Sequence, residues 1–192
     1  MLLSLALLAL GGCSMRYSLV GPGPVRVGGL TLEVDGQWNR AASLKTPYMR
    51  KDAEVWTRDG LLLDRLMIIP AVPDGEALFR SKEKDAALPV FHKGMLPNEV
   101  MELVESSIVK VLGEGDVAVS TSGLRPQRFG EHRGGLFEIH AELGDGPNYS
   151  GVAGGFVDND QLYLVIFIAA EPYYFDKHRA AAEAVIGSAR LL

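Results

Sequence analysis

The sequence predicts an α+β fold, one antiparallel sheet of about six strands flanked by two helices. Three patterns lead there. Short apolar or alternating runs recur with Gly, Pro, Asn and Asp between them, as strands and turns require. Two longer segments, 97–112 and 173–186, change to the three-and-four spacing of an amphipathic helix. The gaps between strands are mostly of hairpin length, which joins neighbours antiparallel, whereas each parallel pair would need a long crossover. With 192 residues and no internal repeat, the chain suits one domain. A domain of that size buries about 70% of the surface its unfolded chain exposes, so stability demands neither a disulfide nor a structural metal. The single cysteine could form no internal bridge in any case.

The chain opens on an apolar run, residues 2–10, followed by Gly11-Gly12-Cys13. A spanning helix needs about 20 apolar residues, so a run half that long reads as the core of a signal peptide covering residues 1–12. Leu10-Gly11-Gly12-Cys13 resembles the lipobox of bacterial lipoproteins, an aliphatic residue and two small ones before a modified cysteine. The resemblance implies cleavage before Cys13, a diacylglyceryl thioether on its sulfur and acylation of the new amino terminus. One acyl chain gives only marginal membrane binding, whereas two or three make a lasting anchor. It therefore implies a lipid-anchored protein of the bacterial cell envelope facing the periplasm, and Ser14 after the cysteine implies the outer membrane over the inner. One departure stands out: residues 1–12 carry no charge, where such leaders open with Lys or Arg.

Residues 13–29 are rich in Gly and Pro and read as the lipidated cysteine and a tether, with the domain running from 30 to 192. Leu30 to Val34 alternates as a half-buried strand does, and Trp38 follows as a core candidate. In the stretch 53–62, Asp59-Gly60 suggests a two-residue type I′ hairpin, with a second strand from 61 to 69 that stops at Pro70. Over 97–112 the apolar residues Val100, Leu103, Val104, Ile108, Val111 and Leu112 form one helical face. Pro97 suits the first turn, Gly113 the end, and Lys110 the negative pole. Four strands follow at about 116–122, 134–143, 149–157 and 161–170; the last contains no charge from Leu162 to Ala170, as expected of a central strand. A closing helix, 173–186, sets Phe175, Ala182, Val185 and Ile186 on one face. This order resembles the Mog1/PsbP-like fold, and Trp56 to Gly60 with the ending Ile186 to Ala189 is similar to uncharacterised proteobacterial lipoproteins, a likeness that implies no activity.

The formal charge of −5 and scattered basic residues argue against a nucleic-acid surface, which needs clustered Lys and Arg to displace counterions. Arg125, Arg128 and Arg133 form the one modest concentration, around a Gly-rich loop, either a solvated turn or an anion or partner site. Alternation places Glu138, His140 and Glu142 on one face of a strand and Phe137, Ile139 and Ala141 on the other. Two carboxylates beside an imidazole could hold zinc or manganese, or simply face water; His132 with Glu131 could extend that set. Tyr173 and Tyr174 either staple the last helix or offer a binding patch. Ser122 and Ser150 lack a nucleophile elbow, and His92 and His178 read as surface residues. Asp158-Asn159-Asp160 reads as a hairpin turn, without the later Gly and Glu of a calcium loop.

Membrane fixation without a catalytic set points to a non-catalytic accessory module that binds another envelope protein. No cofactor is expected beyond covalent lipid on Cys13. The alternative is a metal or small-ligand binding protein, with or without hydrolytic activity, using Glu138, His140 and Glu142.

Overall fold

A computed structural model describes residues 17–43, 46–81, 87–112, 117–144 and 146–191. The leader, Cys13 and Gly113 lie outside the described residues. Eleven strands and two helices run in the order β1 (Tyr17–Val20), β2 (Gly23–Val27), β3 (Leu30–Val34), β4 (Trp38–Ala41), β5 (Glu54–Thr57), β6 (Asp64–Pro73), α1 (Pro97–Leu112), β7 (Val117–Phe129), β8 (His132–Leu143), β9 (Tyr149–Asp158), β10 (Gln161–Ala170), α2 (Tyr173–Gly187) and β11 (Arg190–Leu191).

The α+β class with two helices is as the patterns require, but the strand count is not. The main sheet has eight strands in the order β1-β4-β5-β6-β10-β9-β8-β7, and β11-β3-β2 make a second sheet of three. Much of the excess comes from the supposed tether, where residues 17–27 supply β1 and β2. Both are edge strands, and Pro24 sits in β2, the kind of place in a sheet that tolerates proline. Gly23 and Gly28, at φ 117° and 55°, take backbone angles that a side chain would resist.

The main sheet carries a core on each face. On one side Trp38, Trp56, Leu66, Phe167 and Leu136 meet α2 and the small sheet; on the other Met67, Ile69, Phe137, Leu164 and Ile166 meet α1 and the long connection before it. Alternation along β8, β10 and β6 as far as Ile69 divides the residues between the two cores. β10 is buried at every position from Leu162 to Ala170, between β6 and β9, which explains why no charge interrupts it.

One turn and one strand end differ from expectation, while the hairpin turn at Asp158-Asn159-Asp160 is as expected. Asp59-Gly60 lies in a six-residue connection between β5 and β6, in which Gly60 has φ 123°. A turn there closes on the Gly60 carbonyl, which accepts the Leu63 amide at 2.8 Å, and the Asp64 carboxylate braces it, accepting bonds from the Arg58 and Asp59 amides (2.8 and 2.7 Å) and the Thr57 hydroxyl (3.0 Å). The two-residue turn with both centres left-handed is Asn159-Asp160, φ 48° and 60°, between Asp158 and its partner Gln161. β6 also runs past Pro70 to Pro73, through an irregularity at Ala71, φ 52°, where its register with β10 shifts.

Candidate functional site

The helix α1 packs chiefly against β7, with fewer contacts to β8. Over β6 and β10 the same face is covered by segments from the β4–β5 and β6–α1 connections. These are joined by the bridge Met49↔Phe79, and the Arg50 guanidinium clamps them through Glu76 (2.7 Å) and the Ala77 carbonyl (3.2 Å). Between helix and loops, at the sheet end where β6 starts and β10 finishes, a cleft of about 790 Å³ stays open. Met67 and Ile168 floor it, Ile108 and Val111 line the helix side, and Phe79 and Leu88 lie opposite. That volume falls in the range of about 300–1,000 Å³ typical of small-molecule sites.

The polar lining has one sign of charge. Arg65, Arg80 and Lys110 border the cleft, and no carboxylate does so among the described residues. Arg65 is half-buried, because it follows Asp64 on the α1 face of a strand whose neighbours are core. Its Nε is buried without a hydrogen-bond partner; Nη1 reaches the Tyr48 hydroxyl at 3.5 Å, the outer limit of a hydrogen bond, and the guanidinium lies 5.9 Å from the Tyr149 ring centre. The Nε has lost water without gaining a partner, and no carboxylate among the described residues pairs with the guanidinium, an arrangement that favours an incoming anion.

Across the sheet at the same end lies a second polar cluster. His178 is buried on α2, and its Nε2 meets Asp59 Oδ2 at 2.5 Å, while Lys177 Nζ meets that same oxygen at 2.7 Å. Lys177 and the His178 ring hold the Asp59 carboxyl below its ordinary value, the Lys177 hydrogen bond contributing most and that of His178 next. Asp59, Asp64 and His178 place donor atoms within 4.8 Å of one another, the spacing a metal needs. The two carboxylates are already engaged, Asp64 accepting three bonds from the turn and Asp59 Oδ2 meeting the Lys177 ammonium, while His178 Nδ1 is buried without a partner. The cluster is a lock between the β5–β6 turn and α2, and His178 is a buried structural residue, not the surface residue its sequence context suggests.

The other expected residues are spread over the molecule. Glu138 is bound by Arg179 of α2, whose Nε also meets Glu183 at 3.0 Å. His140 stands between Glu142 (3.4 Å) and Glu171 (3.6 Å), with Ser150 donating its hydroxyl to the same Glu171 oxygen. The structure therefore joins His140 to Glu142 and adds Glu171, but ties Glu138 to an arginine. His132 sits at the far end of β8, eight residues or about 26 Å from His140, stacked on Phe156 at 4.9 Å. The arginine segment is a strand pair, not a loop. Arg128 and Arg133 are direct cross-strand partners near its tip, and Arg125 points to Glu183 at 3.6 Å. Tyr173 and Tyr174 lie at the opposite end of the sheet, edge to face at 5.2 Å with the Lys177 ammonium 5.6 and 5.8 Å from their ring centres. Tyr174 packs on the core and Tyr173 is exposed. Sequence reasoning passed over Arg65, although a charge inside an otherwise apolar strand was a visible signal.

No family model matches the chain, and no curated protein matches it. Among solved structures it is similar to the cyanobacterial PsbP (CyanoP) of Synechocystis sp. PCC 6803, with TM-score 0.60 and 13% identity over 97% of this chain and 99% of that one. The fold is PsbP-like. A Ran-binding protein of Saccharomyces cerevisiae, Mog1p, aligns with TM-score 0.43 and 10% identity over 90% of each chain. The likeness to PsbP extends from end to end and is one of fold.

Proposed function

We propose that the protein is a non-catalytic binding module of the bacterial cell envelope, held to a membrane by lipid on Cys13 and taking a ligand in the cleft beside α1. The observation that carries the binding half is the cleft itself, apolar within and bordered by cations alone among the described residues. The anchoring half rests on Leu10-Gly11-Gly12-Cys13 and the apolar run before it, and the periplasmic, outer-membrane address follows from that resemblance. The PsbP-like architecture suits either half, since one scaffold serves many functions.

Expressing the chain with its own leader, extracting it from membranes and weighing it intact under native conditions tests both halves. Wild type is expected to carry the mass of a lipidated Cys13 and a non-covalent adduct. Cys13→Ala is expected to fractionate as soluble protein, and Val111→Trp, which fills the cleft from the helix side, to lose the adduct. Unmodified soluble wild type would refute the anchor; an adduct indifferent to Val111→Trp would refute the cleft.

A second reading, docking to an envelope protein, is favoured by one feature. Arg128 and Arg133 stand side by side on the β7–β8 tip, and like charges directly paired across strands destabilise a lone protein. An acidic partner would relieve that repulsion. Reversing both to Glu should abolish co-purification of such a partner while leaving the cleft adduct in place.

A further inference from the structure

Resting on the binding role of the cleft, we infer that its ligand is a single-chain amphiphile with an anionic head, of the long-chain carboxylate type, whose head meets Arg65 and whose tail lies along α1. Three features of the cleft select that chemistry together. The first is the gradient of the lining. Aromatic and cationic groups, Tyr48, Tyr149 and Arg65, gather where β6 begins, whereas along α1 the aliphatic side chains Ile108, Val111 and Leu112 line the cleft, with Lys110 the one charged residue among them. A ligand polar at one end and hydrocarbon along the rest matches both parts at once.

The second is the state of the guanidinium. Arg65 has no carboxylate within ion-pair distance among the described residues, its Nε is buried without a partner, and its contact with Tyr48 is a long one. A planar cation with free donors on a fork binds a carboxylate through two parallel bonds, which a neutral alcohol or amide head cannot imitate. The third is the sign of the border. Arg80 lies at the same opening as Arg65, so a cationic head would meet repulsion, while an anion is drawn in. The opening matters too: hydrocarbon covered along Met67, Ile108 and Ile168 leaves water, so the tail supplies affinity and the head supplies orientation.

Titration of full-length purified protein with palmitate and with hexadecanol, followed by displacement of a fluorescent fatty acid, tests this. Expected are saturable one-to-one binding of palmitate, at least tenfold weaker binding of hexadecanol, and at least tenfold loss of palmitate affinity in Arg65→Gln. A thermal melt of each variant confirms that it is folded. Should Arg65→Gln not fold, Val111→Trp takes its place and must abolish palmitate binding. Equal binding of palmitate and hexadecanol, unchanged in Arg65→Gln, would overturn the anionic head and leave the cleft as a general apolar site. Binding of neither, while membrane-extracted protein still carries an adduct lost in Val111→Trp, would overturn the amphiphile and keep the binding module. Binding of neither with no such adduct would overturn both. Binding of inorganic phosphate alone, blocked by Arg65→Gln, would mark a plain anion site and overturn the tail.

Discussion

At the scale of single residues, the molecule separates groups that hold it together from groups left without partners. Asp59 belongs to the first kind. Lys177 and His178 lower its folded pKa below the ordinary 3.8, so its contribution to stability is fully present above that value and disappears as pH falls below it toward the folded pKa. An acid titration of thermal stability should therefore show wild type losing part of its margin over Asp59→Asn below about pH 4; parallel curves would mean that the carboxylate contributes no such linkage. His178→Ala removes a buried ring and its bond to Asp59, and should cost about 1–3 kcal/mol, a fall of several degrees in the melting midpoint. The role of His178 was legible in part. Phe175, His178 and Ala182 stand three and four apart, so helical spacing alone sets the imidazole on the buried face, and a histidine's usual preference for water misled. Arg65 was legible too, as a charge in an apolar strand, but its missing counter-charge is a matter of what folds beside it.

Elements were readable where one pattern held without interruption. The helix α1 runs over 97–112 as its spacing demands, and its start is fixed as expected near Pro97, where Glu99 accepts the Leu96 amide at 2.6 Å. Glu99→Ala should cost about 0.5–2 kcal/mol, read as a lower melting midpoint. Strands β8 to β10 likewise follow their runs. What failed was the amino-terminal segment, since Gly and Pro signal turns locally while edge strands are stabilised by partners distant in sequence, β4 and β3. Gly154 pairs with Leu136, and a Cβ on it would stand 2.6 Å from Ile186 of α2 and 2.8 Å from the Leu136 side chain. Gly154→Ala should therefore push α2 outward and cost about 1–3 kcal/mol by overpacking, checked by denaturant unfolding; an unchanged midpoint would show that α2 is seated loosely.

For the whole molecule, the two faces of the main sheet have different tasks. Residues on the α2 face are closed off by a helix, a small sheet and the Asp59 lock, whereas those on the α1 face are covered by a helix and a long connection that leave a cleft between them. The carboxylates and histidine expected to bind metal lie on the α2 side, and there Arg179 takes Glu138 while His140 meets Glu142 and Glu171. Sequence alternation could assign those residues to one face; it could not show which cations the opposing helix would bring. The cleft had no sequence signature at all, because it is a gap between segments far apart in the chain. Its role as the binding site is tested most directly by placing a photocrosslinking amino acid at Val111, and separately at Arg133, in cells expressing the full chain with its leader. Irradiation should yield a small-molecule adduct at position 111 and none at 133, identified by peptide mass. An adduct confined to position 133, with 111 unmodified, would contradict the cleft and put the working surface on the β7–β8 tip.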